Sequence, residues 1–418
     1  MTKQSQEDKY FNYWLSLKRE GTIISYEIPK IQCLTPTTRA YSIDKDIHKI
    51  KSDLSKAKNT YDEPYNTNAK MFKYITKQFE LSSKFKHEVA HKYNSPNISN
   101  AWLKAYEIFS QFKLFPDNTD SFIYFDNAAF PGSFILAAHH YVKTKCNIKN
   151  FQWYGSSILS TAQLDDSYKL YTNYPNNWVM NKNNNGDVTL LHNQQLFKQR
   201  FNRGVDLYTA DLGFDVSDDY NNQESIHAKA NLGQILTGLL TLKDGGSLIT
   251  KQYTFFEPFT ISLIGCLTFV FKELRIIKPM FSKYGNSEIY LYGSGYRYDN
   301  DVITQLFNYL EHFENKNMIP LITKSCMGKS FTKSIVNTAH DIYAYQIMTI
   351  NKIIEEYTIF KNKKTSGVEI KKNNYFTYSH KIFLKQWIET HNMIRLNKSQ
   401  QLKVKNVLHC FNQSKKIK

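Results

Sequence analysis

Cysteine is scarce and scattered in this chain. The 418 residues contain five, Cys33, Cys146, Cys266, Cys326 and Cys410, with no CxxC pair among them. An odd total at such wide spacing argues against a zinc ribbon or a disulfide framework and favours a reducing compartment. Long hydrophobic runs are missing too. The amino-terminal MTKQSQEDKYFNYW has no apolar core for a signal peptide. The most apolar stretch, FTISLIGCLTFVF at 259–271, is too short to span a bilayer comfortably and runs into Lys272 and Glu273. It reads as a buried helix. Together these absences predict a soluble protein of the cytoplasm with no membrane partner. Acidic residues are in deficit: Lys+Arg number 54 against Asp+Glu 37, a formal net charge of +17. Such an excess draws a chain toward polyanions, nucleic acid first and anionic membrane surfaces second. The apolar share of 41%, with abundant Tyr and Phe, argues against wholesale disorder.

What is present is ordered in three stretches, with no internal repeat. Residues 1–95 are polar and weakly periodic, and read as an extension or small accessory unit. Over 96–298 short apolar runs alternate with helical stretches. FIYF (122–125), FQWYG (151–155), VDLYTAD (205–211), SLITK (247–251) and EIYLYG (288–293) read as strands. GSFILAAHHYVKT (132–144) and HAKANLGQILTGLLTL (227–242) have helical spacing. This alternation predicts a doubly wound α/β domain, a mostly parallel sheet with helices on both faces. Ligands of such sheets bind outside the carboxyl ends of the strands. Residues 299–418 are mainly helical, over 332–360 and 379–396, with lysine clusters at 361–364 and 415–418 that read as a break and a tail.

Several segments could carry chemistry at those carboxyl ends. FDNAAFPGSF (125–134) runs from a strand through a turn of small residues into a helix, whose free N–H groups could face a ligand. NNGDVT (184–189) offers Asp187 to a nucleoside amine or hydroxyl, or else as a turn or helix cap. TADLGF (209–214) ends a strand with Asp211, and DGGSLITKQYTFFEP (244–258) places Lys251 at the tip of an otherwise buried strand. Lys104 lies in the amphipathic NAWLKAYEIF, and Glu288 opens the last strand.

In that order, these segments resemble the FtsJ-like family of S-adenosylmethionine-dependent RNA ribose 2′-O-methyltransferases. The resemblance covers about 96–295 and is closest to cap-modifying members, including those of large cytoplasmic DNA viruses. AWLK is similar to the family's leading-lysine helix, DNAAFPGSF to its cofactor loop and NGDVT to its adenine-side segment. ADLGF and GGSLITKQYTFFEPF match the central aspartate and second lysine, and KPMFSKYGNSEIY the closing segment. The resemblance implies a catalytic tetrad of Lys104, Asp211, Lys251 and Glu288. It implies S-adenosylmethionine held by Asn127, Ala129, Pro131, Gly132, Ser133, Phe134, Asp187 and Asp211, and no metal. The implied partners are RNA, capped mRNA above all, and other capping or transcription proteins. Lys251 would take the proton of a ribose 2′-hydroxyl, its pKa lowered by burial and by the neighbouring ammonium of Lys104. The family's loop usually carries Gly-Pro-Gly-Gly or Ala-Pro-Gly-Gly. Here Phe130 and Ser133 depart from that pattern, and a bulky Phe there is expected to narrow the cofactor site. The alternative reading is a silent RNA-binding or scaffolding protein on a degenerate methyltransferase fold. Lys278, Lys283 and Arg297 are expected to contact RNA phosphates near the closing strand.

Three further patterns are set aside. His87-Glu88-x-x-His91 has zinc-protease spacing, but lysines flank it and no third ligand stands out. MGKS (327–330) lacks the earlier glycine of a phosphate loop, having Thr323 there. His139 and His140 read as a packed or surface pair.

Overall fold

The computed structural model describes residues 23–78, 82–158, 166–183, 185–214, 222–283, 285–314, 318–365 and 374–407. Its centre is a seven-stranded sheet of β1 Ile24–Glu27, β2 Asn118–Asn127, β3 Asn147–Ser156, β4 Val205–Ala210, β5 Leu242–Gln252, β6 Phe271–Lys278 and β7 Ile289–Tyr296, in spatial order β1-β6-β7-β5-β4-β2-β3. Strands β3, β2, β4 and β5 run parallel; β7 is antiparallel to both β5 and β6, and β1 adds antiparallel to β6. The helices are α1 Lys45–Gln78, α2 Ser82–Lys92, α3 Asn100–Gln111, α4 Ser133–Lys145, α5 Leu170–Asn173, α6 Leu191–Phe201, α7 Gln223–Thr241, α8 Pro258–Val270, α9 Asn300–Glu311, α10 Lys324–Thr365 and α11 Asn374–Thr390.

The strands are buried on both sides, and their two-residue period sorts side chains into two cores. Phe125, Tyr208, Leu248, Ile276 and Leu291 enter one core, with residues of α6, α7, α8 and α10. Their neighbours Tyr124, Leu207, Ile249, Ile277 and Tyr290 enter the other, with α3, α4 and α11. Covered on both faces by helices, this is the doubly wound, Rossmann-like α/β architecture that the alternation predicted. The same parity carries Lys251, two residues beyond Ile249, onto the face covered by α3.

Several features differ from the expectations. Strand β6 is absent from the predicted series because α8 passes into it with no turn residue between. Phe271, read as the end of a buried helix, is already extended at φ −110°, ψ 144°. The lysines at 361–364 form the last turn of α10 rather than a break; those at 415–418 lie outside the described residues. Cys33 and Cys326 form a disulfide, correcting the expectation drawn from their scatter. They are 293 positions apart in sequence. They meet because the 31–36 segment runs beside the start of α10, Gln32 N donating to Cys326 O and Thr323 N to Thr35 O. Within the residues read as an extension, β1 is an edge strand of the sheet, and α1 packs on α10 through Phe72, Ile75, Ile353 and Tyr357.

Candidate active site

The site is assembled from the ends of four elements. Ser99 caps α3, its hydroxyl accepting from Trp102 N at 3.0 Å, and the helix buries Lys104 among apolar neighbours. Strand β4 stops at Ala210, so Asp211 is the first residue beyond its tip; Lys251 is the penultimate residue of β5, paired with Tyr290 of β7. Glu288 sits directly before β7 rather than in it.

These four side chains meet. Lys104 Nζ donates to both carboxylate oxygens of Glu288 at 3.0 Å, and its second acidic neighbour, Asp211 Oδ2, is 3.9 Å away. Lys251 Nζ lies 3.0 Å from Asp211 Oδ1 and donates to the Asp211 carbonyl at 2.9 Å. Two ammonium groups and two carboxylates therefore alternate Lys251–Asp211–Lys104–Glu288, and Asp211 is the bridge. Lys104, Lys251 and Glu288 are nearly removed from water and Asp211 is half-buried, and the pairing is what makes such burial tolerable.

The field of the cluster decides the charges. Burial works against the charge on Lys251, but Asp211, Tyr253 and Glu288 together hold it above its ordinary value. This corrects the expectation of a lowered pKa. A second ammonium is indeed nearby, but two carboxylates and a phenol outweigh it. Burial likewise opposes ionisation of Asp211 and Glu288, yet Lys104 and Lys251 hold both carboxyls below their usual range.

Four groups support the cluster; three were not singled out from sequence, and the fourth, Lys278, was expected in another role. Tyr290 OH donates to Asp211 Oδ1 at 2.7 Å, and Ser282 Oγ to Glu288 Oε1 at 2.5 Å. Tyr253 brings its ring to 5.8 Å from Lys251 Nζ. Lys278, at the end of β6, donates to the carbonyls of Asn286 at 2.9 Å and Glu288 at 2.8 Å. Its burial pulls its pKa down to about 7 against the pull of Glu288, and Lys104 lowers it further. Only the matched segments 278–290 and 245–259 contained them; no spacing marked their roles. Gly213 explains the room at the centre, since a Cβ there would lie 2.5 Å from Tyr253 OH and 2.8 Å from Lys251 Nζ.

Apart from Asp211 at the tip of β4, the expected cofactor residues gather around the neighbouring tips of β2 and β3. Asn127 ends β2; its Oδ1 accepts from Ala128 N, while its buried Nδ2 has no hydrogen-bond partner among the described residues. Ala129 N donates to Ser156 O, the Phe130–Pro131 bond is cis, and Gly132 takes φ +113° with no space for a Cβ against Leu170. Ser133 opens α4 and accepts a hydrogen bond from Ser99 at 2.8 Å; Phe134 is buried, its ring 6.4 Å from that of Tyr290. Asp187 lies beside the end of β3, where Gly186 N donates to Ser157 O. Its Oδ1 accepts from Thr189 N and Thr189 Oγ1, both at 2.8 Å, which is the turn-capping role weighed as an alternative. The bulk of Phe130 is taken up by Trp178, on which it stacks at 4.4 Å and 16°. An unpartnered buried amide, a left-handed glycine turn and the uncapped start of α4 fit a polar nucleoside-type cofactor.

Two expected RNA contacts are corrected. Lys278 is 1% exposed and turned into the protein. Arg297 follows the last residue of β7, at the opposite end of that strand from Tyr290 and so across the sheet from Lys251. Lys283 stays exposed on the β6–β7 loop. His139 and His140 are buried in α4, and their Nε2 atoms bond the carbonyls of Gln400 and Ile394. His87, Glu88 and His91 lie exposed on α2. No described helix is long and apolar enough to cross a membrane.

A Rossmann-like sheet with a charged cluster beside a glycine turn at its strand tips defines the methyltransferase class. The chain belongs to the FtsJ-like methyltransferase family, whose model matches residues 98–296. It is 34% identical over 354 residues to "Probable methyltransferase EP424R" of African swine fever virus (isolate Warthog/Namibia/Wart80/1980), covering 81% of this chain and 80% of that one. It is 27% identical over 292 residues to "Cap-specific mRNA (nucleoside-2'-O-)-methyltransferase 2" of Danio rerio, over 66% of this chain and 39% of that protein. Among solved structures, an S-adenosylmethionine-dependent methyltransferase from Clostridium acetobutylicum has a TM-score of 0.24 at 13% identity, covering 54% of this chain and 86% of that one. That likeness is too slight to add to the argument. Membership of the family makes S-adenosylmethionine the methyl donor.

Proposed function

We propose that this protein methylates the ribose 2′-hydroxyl of RNA, at the cap-proximal nucleotide of mRNA. The observation that carries the reading is the buried Lys251–Asp211–Lys104–Glu288 chain at the tips of β4, β5 and β7. When bound, S-adenosylmethionine supplies an electrophilic sulfonium methyl group. Asn127, Ala129, Pro131, Gly132, Ser133, Phe134, Asp187 and Asp211 are proposed to hold it. The similarity to a cap-specific nucleoside-2′-O-methyltransferase supports the choice of acceptor.

The residues divide the work as follows. A ribose hydroxyl is a poor nucleophile that must give up its proton during transfer. Lys251 enters charged, so its first task is to orient the 2′-oxygen and stabilise the negative charge developing there. It can accept the proton only from its neutral fraction, so the rate is tied to that fraction. Asp211 fixes the Lys251 amine from two directions, and the fixed strand tip limits its reach to one position. Lys104, together with Lys251, keeps Asp211 ionised, and Glu288 balances the second ammonium charge. The positive excess favours RNA phosphates around the site.

The test is label transfer from S-adenosylmethionine to capped and uncapped RNA, with the methylated sugar identified after nuclease digestion. The expected result is a 2′-O-methyl mark on the cap-proximal residue that falls about 100-fold or more in Lys251→Ala. Methyl label on a base, or cofactor-free RNA binding with no transfer at all, overturns the reading; the latter favours a silent RNA-binding module.

A further inference from the structure

An aromatic ladder climbs from the Lys251 amine to the surface, and its outer rungs, His227 and Phe214, play no part in holding the charge on Lys251 described above. Its outermost rung, Phe214, follows the Asp211-Leu212-Gly213 tip of β4 and is 47% exposed. Phe214 lies flat on His227 of α7, with ring centroids 4.0 Å apart and planes 11° from parallel. The imidazole in turn meets Tyr253 at 4.7 Å, and Tyr253 adjoins Lys251. Covering a large apolar ring exposed beside a charged site is favourable.

Phe214 is also held still. Its N–H donates to His227 Nε2 at 3.4 Å, while His227 Nδ1 bonds Gln223 O at 2.9 Å, which sets the proton on Nδ1. Burial keeps this imidazole below its ordinary pKa, and the nearby Lys251 adds to that. With one ring face on a neutral imidazole and an orientation already fixed, Phe214 offers a flat partner at small entropic cost.

We infer that Phe214, backed by His227, is the stacking platform for a nucleobase of the RNA strand whose ribose lies at Lys251. The inference rests on the proposed RNA substrate and names the part of it that the surface receives. A base fits better than an aliphatic or peptide partner because the surface is a parallel aromatic stack on a chain of charge +17, beside an amine proposed to face a sugar. Stacking of this kind is indifferent to sequence, because every base has a π face. The cofactor is not expected to reach this position: apart from Asp211 at the tip of β4, its expected residues lie around the tips of β2 and β3, on the other side of β4 from β5.

Two measurements test the platform, on the full chain. Anisotropy of a labelled capped RNA gives binding without any need for turnover, and steady-state methyl transfer separates KM from kcat. In Phe214→Ala the RNA Kd and KM should rise about 5- to 150-fold, the range for one lost base stack, with kcat changed much less. Phe214→Tyr should restore most of the affinity and Phe214→Leu should not, since leucine keeps the apolar area but has no π face. Affinity within twofold of the parent in Phe214→Ala, or full rescue by Phe214→Leu, overturns the inference. Should the parent bind RNA in a Phe214-dependent manner but transfer no methyl group, the proposed reaction fails and the platform stands.

Discussion

Lys251 is bonded to Asp211 twice, to carboxylate Oδ1 at 3.0 Å and to the main-chain carbonyl at 2.9 Å. Both contacts favour the ammonium form, so the resting site stores the proton that a general base would have to lose. The amine at the strand tip is thus first an electrostatic and positioning group.

That charge state sets the pH profile. Because the pKa of Lys251 is raised, log kcat/KM should climb with a slope near one through the neutral and mildly alkaline range. A plateau already reached at pH 7 would show that the amine is neutral in the free enzyme. Lys251→Arg keeps the charge but cannot release a proton at these pH values, and should be at least about 100-fold slower throughout.

Asp211 bridges both amines, so its removal should hurt the fold as well as the chemistry. Asp211→Ala leaves two ammonium groups in a site closed to water and should cost about 3–5 kcal/mol in chemical denaturation. The parent should show the linked acid response. Asp211 and Glu288 have depressed pKa values, so their contribution is present above the ordinary carboxylate range and fades as pH falls below 3.8 and 4.5. In Asp211→Ala that acid-limb loss should be smaller.

Gly213→Ala separates folding from catalysis. The new methyl would meet the far ends of two side chains, Tyr253 OH and Lys251 Nζ, which can swing aside at small cost. Thermal unfolding should therefore shift little, while kcat should drop about 10- to 100-fold because the amine is displaced. Unchanged kcat would mean that the observed position of Lys251 is not the working one.

Lys278 ties the Glu288 segment to the end of β6, and its pKa is pulled down to about 7 from 10.5. Between those values the unfolded chain binds the extra proton, so this group makes stability rise with pH over that window. The slope is at most about 1.4 kcal/mol per pH unit. Lys278→Met should flatten the rise relative to the parent and lower kcat through misplacement of Glu288, with RNA affinity unchanged. Lys58, also lowered by burial, to about 8, contributes equally to both proteins and cancels in the difference.

The sequence by itself determined the parts whose pattern is local. Alternating apolar runs specified the parallel strands, and Lys251 at a strand tip together with the order of the matched segments pointed to one pocket. Even the face on which Lys251 meets Lys104 follows from counting two residues on from Ile249. Tertiary structure alone decided the rest, because those properties are sums over elements distant in sequence. The charge on Lys251 depends on groups from β4, the approach to β7 and its own loop. Lys278 turned out to be an internal brace, Arg297 to stand at the far end of its strand, and Cys33 to bond Cys326. A residue's period fixes which way it faces, but its field and its neighbours across the fold exist only once the chain has closed around it.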